Sequence, residues 1–154
     1  MRERFLDFLR KHEVVTIAVT EPDGTAHAAA LFYAVDDELN LYVLSEPTSR
    51  HGRAMARTGP VAGTIQRDRQ EWQEIRGAQF RGRCRRLKGA ARERGWDIFA
   101  DRFPFVRNPA VAGLAQALGK MALWRIEPAW MRLIDNRRGF GHKEGWTRKK
   151  LSNG

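Results

Sequence analysis

Short apolar runs, each ended by turn-forming residues, recur along this chain, and that rhythm constrains the fold more than any other feature. Val14, Val15, Thr16 and Ile17 form a β-branched run, Glu21, Pro22, Asp23 and Gly24 supply proline and Asp-Gly turn chemistry, and residues 26–35 read as the next strand. Asp36, Asp37 and Glu38 turn the chain again into residues 39–45. Three successive strands on short turns predict an antiparallel meander. Further strands are expected over residues 61–66, in the alternating stretch 72–87, and over 121–126 and 130–134, the last two separated at Pro128. About six or seven antiparallel strands with peripheral helices predict a mainly β fold closed into a small barrel, because closure removes the edges that an open sheet must protect.

Phe5, Leu6, Phe8 and Leu9 recur at helical spacing and predict a short helix before the first strand. Ser49 is placed to cap a helix from Arg50 to about residue 57, which Gly59 and Pro60 would stop. Residues 89–99, with Trp96, Ile98 and Phe99 as an apolar face, and residues 110–118 read as outer helices. In the stretch 72–87, Ile75, Gly77, Gln79, Arg81 and Arg83 share one parity, and Arg76, Ala78, Phe80, Gly82 and Cys84 share the other. Residues 136–154 read as a basic tail on a single domain spanning 1–154.

With 28 Lys and Arg against 18 Asp and Glu, the net charge of +10 favours an anionic partner. Arg81, Arg83, Arg85 and Arg86, with Arg148, Lys149 and Lys150, are the basic residues most suggestive of nucleic acid, but they lack the interleaved aromatics of a single-strand platform. Nucleic acid is therefore not the expected partner. Cys84 is the only cysteine, which rules out an intrachain disulfide or a cysteine-based zinc site and fits a reducing, cytoplasmic setting. Residues 1–11 mix charges with apolar residues, unlike a secretory signal, and no window reaches the roughly 20 apolar residues that cross a bilayer. His12, His27, His51 and His142 lack metal-ligand spacing, so no metal is expected. No catalytic triad or phosphate-cradling glycine loop is present, and reaction chemistry would have to come from a cofactor.

The candidate site begins where the run 39–44 ends at Ser45 and passes through Pro47, Thr48 and Ser49 into Arg50, His51 and Arg53. Hydroxyls, a guanidinium and free amides at a strand-to-helix junction suit a phosphate group. Tyr33 and Tyr42 are strand aromatics that could meet a planar ligand, and Gln79 offers both amide donors and a carbonyl. Asp135, Asn136, His142 and Lys143 form a polar cluster after the last expected strand.

The succession Leu31-Phe32-Tyr33, Leu41-Tyr42-Val43-Leu44-Ser45, Thr48-Ser49-Arg50-His51, Val61-Ala62-Gly63-Thr64-Ile65 and Ile75-Arg76-Gly77-Ala78-Gln79-Phe80-Arg81-Gly82 resembles the pyridoxamine 5'-phosphate oxidase-like, FMN-binding split-barrel family, in a small bacterial branch. The resemblance implies a homodimeric split β-barrel with two flavin sites at the subunit interface. By position Ser49 and Arg50 inherit the FMN phosphate, with Thr48 and His51 beside them. Tyr42 and Ser45 fall near the ribityl chain and ring, and Gln79 passes near the ring; from the residues themselves, Tyr33 and Lys143 are further candidates for ligand contact. Two departures stand out. Family oxidases present an Arg and a Lys from the second strand, where this chain has His27-Ala28-Ala29-Ala30-Leu31-Phe32-Tyr33. The Arg-Leu-His-x-Arg pattern that grips pyridoxal phosphate is replaced by residues 135–143. The resemblance thus implies an FMN-dependent oxidoreductase acting on a small substrate other than pyridoxamine phosphate. The alternative is a non-enzymatic binding or storage module for haem, a deazaflavin or another anionic ligand.

Overall fold

The structure, a computed structural model, describes residues 1–108 and 110–150. In chain order, α1 (Arg2–Arg10) leads into β1 (Val14–Thr20), β2 (Ala26–Val35) and β3 (Leu41–Ser45), and α2 (Arg50–Thr58) precedes β4 (Pro60–Gln66) and β5 (Arg76–Arg86). Next come α3 (Gly89–Arg102), α4 (Leu114–Gly119), β6 (Ala122–Asp135) and β7 (Lys143–Thr147). The strands run β3-β2-β1-β4-β5-β6, and β3 pairs with β6 to close an antiparallel six-stranded barrel, with β7 added on β6. The meander and the barrel are those expected from the sequence.

The long last barrel strand differs from the expected pair of strands. Residues 122–135 form one strand that runs through Pro128. On one edge of β6, β3 pairs with Ala122–Ile126 and β7 with residues 130–134, so Pro128 falls in the gap between two partners, where its missing N–H costs no ladder bond. On the other edge the register with β5 shifts between Arg81 and Gly82, and Gly82 stands opposite Pro128. A Cβ on Gly82 would lie 2.1 Å from the Glu127 carbonyl oxygen, so only glycine lets the two backbones approach at this bulge. Within the residues read as a basic tail, Lys143–Thr147 form β7, and the side chain of Trp146 packs against the barrel core. Residues 151–154 lie outside the described residues.

Other boundaries moved for local reasons. β3 begins at Leu41 because the Asp36 carboxylate accepts hydrogen bonds from the Glu38 and Asn40 amides, both at 2.9 Å, and holds residues 36–40 in a turn. α3 continues to Arg102, where Phe99, Ala100 and Phe103 pack with Tyr42, Leu87 and Leu123 on the outside of the barrel. α4 is shorter than expected and starts after Gly113, whose φ of +74° is a left-handed conformation that favours glycine.

A helix closes each end of the barrel. Phe5, Phe8 and Leu9 of α1 are fully buried at the end formed by the start of β5 and the close of β2 and β6. Ala54 and Met55 of α2 are buried at the other end, next to the close of β3. Between them Val15, Ile17, Val43, Ile65, Phe80 and Met131 fill the interior, each such side chain contributing about 1.5–3 kcal/mol through burial. The alternation of β5 follows the expected parity, with Ala78, Phe80 and Cys84 buried and Gln79, Arg81 and Arg83 exposed.

Candidate functional site

At the α2 end, the backbone between β3 and α2 is set by three short-range contacts. Ser49 caps α2: its hydroxyl oxygen accepts from the Gly52 amide at 3.0 Å, while its hydroxyl donates to the Glu46 carbonyl at 2.8 Å. Gly52 fits because a Cβ there would come within 2.3 Å of that same carbonyl oxygen. The result aims the His51 ring back at the end of β3, where its Nε2 lies 2.5 Å from the buried Ser45 hydroxyl and 3.4 Å from that of Ser49. Ser45 is itself held in place, since the indole N–H of buried Trp124 donates to its carbonyl at 3.2 Å.

His27, near the start of β2, stacks on His51 with ring centroids 6.2 Å apart and planes within 9°. Burial first, and then the neighbouring His27, push the His51 pKa below the ordinary imidazole value of 6.5. A neutral ring with its proton on Nδ1 suits a hydroxyl that donates to Nε2. His27 pairs with Val19 on β1, and no local spacing in the sequence could have joined it to His51, 24 positions away.

Arg50 lies at the first turn of α2 with its side chain 74% exposed, and its Nε is 4.0 Å from the Glu21 carboxylate in the β1–β2 turn. Arg50, Arg53, Glu21, Pro22 and Asp23 line an open hollow of about 430 Å³ at the start of α2. Thr48 is exposed in the preceding turn. Ser45, Thr48, Ser49, Arg50 and His51 are therefore brought to one rim, as their spacing suggested.

The remaining candidates sit elsewhere in the chain. Tyr33 is buried at the α1 end, where its hydroxyl donates to the Leu9 carbonyl at 2.6 Å and burial pushes its pKa up. Tyr42 packs under α3, and burial together with the adjacent Asp36, whose carboxylate accepts its hydroxyl at 2.9 Å, pushes its pKa up to about 12. Gln79 is exposed on the outer wall, between Thr64 of β4 and Arg132 of β6. Lys143 is exposed at the start of β7, opposite Ile134. Among the described residues no three His, Cys, Asp or Glu side chains converge to hold a metal, and no helix is long and apolar enough to cross a membrane.

Comparison with known proteins places this geometry in a family. No family model matches the chain. A UPF0306 protein of Klebsiella pneumoniae is 33% identical over 141 residues, covering 92% of this chain and 89% of the relative. The chain belongs to the UPF0306 family. YhbP of Escherichia coli, another UPF0306 protein, is 32% identical over 142 residues, covering 92% of this chain and 89% of that one. Among solved structures, a conserved hypothetical protein of Mycobacterium tuberculosis superposes with a TM-score of 0.73 at 22% identity, over 100% of this chain and 94% of the other. A candidate pyridoxamine 5'-phosphate oxidase of Listeria innocua gives a TM-score of 0.65 at 17% identity, over 86% and 96% of the two chains. HutZ, a haem storage protein of Vibrio cholerae, gives 0.62 at 14% identity, over 82% and 89%. This UPF0306 chain has the pyridoxamine 5'-phosphate oxidase-like split-barrel fold.

Proposed function

We propose that this protein binds FMN at the α2 rim, between two copies of the chain, and acts as a flavin-dependent oxidoreductase on a small substrate. The observation that carries the reading is Arg50: a largely exposed guanidinium at the first turn of a nine-residue helix, beside two hydroxyls and a neutral imidazole, with its nearest carboxylate 4.0 Å away. The residues fit a phosphate. Arg50 would pair with it, Arg53 would add charge from the same hollow, and the helix terminus favours an anion. Ser49 is committed to capping α2, so its part is to fix the turn that presents Arg50. Bound FMN would supply the hydride or electron step, and the chain would supply anchorage, orientation and exclusion of water.

The second copy is supported by the outer wall. Ala26, Ala28 and Ala30 are exposed along β2, and Phe32 on the same face is 50% exposed, an apolar strip that a partner subunit would cover. Gln79 and Lys143 are exposed away from the α2 rim of their own chain, so any part they play in the site would require a partner copy.

No Arg or Lys lies on residues 27–33, and this sets the expected strength. A charge-assisted hydrogen bond contributes about 1.5–3 kcal/mol, against about 8 kcal/mol for micromolar binding, so Arg50 with a few neutral contacts implies a flavin held at micromolar strength or weaker. Titration of the purified protein with FMN, followed by flavin fluorescence, tests the reading. Saturable quenching that weakens in Arg50→Ala supports it; no saturation, or identical binding by the variant, defeats it.

A second reading, haem binding or storage, is favoured by the two stacked imidazoles of His27 and His51 and by HutZ among the structural neighbours. Titration with haemin separates the two. A Soret shift lost in His27→Ala, without FMN quenching, would move the assignment to haem.

A further inference from the structure

We propose that the opposite end of the barrel, beneath α1, carries an independent site for a small polyvalent oxyanion, with the chemistry of phosphate or a short dicarboxylate. A cavity of about 330 Å³ lies there, lined by Phe8, Lys11, His12, Arg67, Arg76 and Arg137 among others, a volume within the range of small-ligand sites. Four cations face it and Glu74 is the one carboxylate in its lining.

The cations are not equally committed. The Asp7 carboxylate is 2.8 Å from Lys11, and Asp135 accepts two hydrogen bonds of 3.0 Å from Arg137. Arg67 makes no ion pair among the described residues. Arg76 is more telling. Its Nε lies 3.2 Å from Asp135 without hydrogen-bond geometry, so Asp135 offsets its charge but leaves this buried N–H without a hydrogen-bond acceptor among the described residues. A guanidinium paired this imperfectly, with its side chain still 21% exposed, keeps donor capacity that a seated oxyanion could take up.

The surrounding contacts make this a built cavity. Gln70 accepts from the Arg76 amide at 2.7 Å and donates to the Arg67 carbonyl at 3.1 Å, tying the β4–β5 loop to the mouth of β5. His12 Nδ1 lies 2.8 Å from the Phe8 carbonyl, which can only accept, so this nitrogen carries the proton and the ring is fixed 4.2 Å from that of Phe8. The Arg76 guanidinium stands 5.2 Å from the same Phe8 ring, so its plane is held from below by an aromatic face. Guanidinium groups held this way present paired donors to an oxyanion. The site shares no lining residue with the Arg50 hollow, so it stands or falls separately from the FMN reading.

The test follows the arginine Nε–H signals of the full-length protein by NMR during titration with sodium phosphate and, separately, sodium succinate, each against sodium chloride at equal ionic strength. The expected result is a saturable shift at Arg76 with one or both oxyanions and not with chloride. The preferred anion identifies the source of the oxyanion group, phosphate or carboxylate. Arg67→Gln, a change at an exposed residue without a structural ion pair, should weaken that binding about tenfold or more while leaving the unfolding midpoint in its place. Arg76→Lys, which keeps the charge but loses the planar fork, should weaken it as well. A response equal to that of chloride, a shift that never saturates, or unchanged binding in Arg67→Gln would overturn the proposal. A phosphate response confined to Arg50 would also overturn it and would count toward the other rim.

Discussion

The two ends of this barrel are closed by helices of equal length that do different work. α1 drives three large side chains, Phe5, Phe8 and Leu9, fully into the core, and its surroundings are dense with charge pairs: Arg4 with Glu144 at 2.9 Å, Arg138 with Glu144, and Arg76 and Arg137 with Asp135. Among the described residues α2 inserts Ala54 and Met55, and its rim is held by hydroxyls and histidines, with an arginine left largely in solvent. Bulk and paired charge anchor one end, while small groups and neutral hydrogen bonds hold the other.

The largest effect that would test this contrast is loss of the α1 plug. Phe8→Ala is expected to cost about 3–5 kcal/mol of stability in urea denaturation, and Met55→Ala to fall at the low end of about 2–5 kcal/mol because the thioether of Met55 fills a smaller plug. A greater loss at Met55 would reverse the assignment of the anchoring end. Ser49→Ala removes the cap of α2 and should cost about 1 kcal/mol, read from the same urea midpoints.

Acid should separate the ends by pH. Because the His51 pKa is lowered in the fold, the unfolded chain takes up the proton first, and the stability this residue contributes is full above pH 6.5 and is lost as pH falls below that value. Asp135 has the opposite chemistry and a later onset. The hydrogen bond from Arg137 is the chief cause that holds its pKa below 3.8, so its contribution is present above that value and is lost as pH falls through the folded pKa. Amide NMR during an acid titration should therefore show the α2 rim loosening before the α1 end, and His51→Gln should abolish the earlier step. Simultaneous loss at both ends would remove the distinction. The smallest expected change in stability is that of Arg50→Ala, within about 0.5 kcal/mol, although FMN affinity should fall about tenfold or more in fluorescence titration.

How much of this was legible in the sequence depends on sequence distance. β2 spans residues 26–35 as its turn-flanked pattern indicated, and the Ser45–His51 cluster could be read because it lies within one strand-to-helix turn. β6 reads as two strands because Pro128 is a stop signal in local chemistry; that it lies between β3 and β7 on one edge and opposite Gly82 on the other is a property of three distant segments. β7 carries too few apolar residues to announce itself before Trp146 meets the core. The pairing of His27 with His51, and the gathering of Arg67, Arg76 and Arg137 under α1, depend on barrel closure and leave no trace in local spacing.

With Phe8 at one mouth, Met55 at the other and Phe80 and Met131 between them, the cylinder is a solid peg and not a cup. Whatever the protein recognises must therefore be met on its rind. Residues such as Arg50, Arg67 and His27 can be exchanged for others without opening the interior, so ligand preference can drift between descendants of this chain while the packing that keeps each of them folded stays the same.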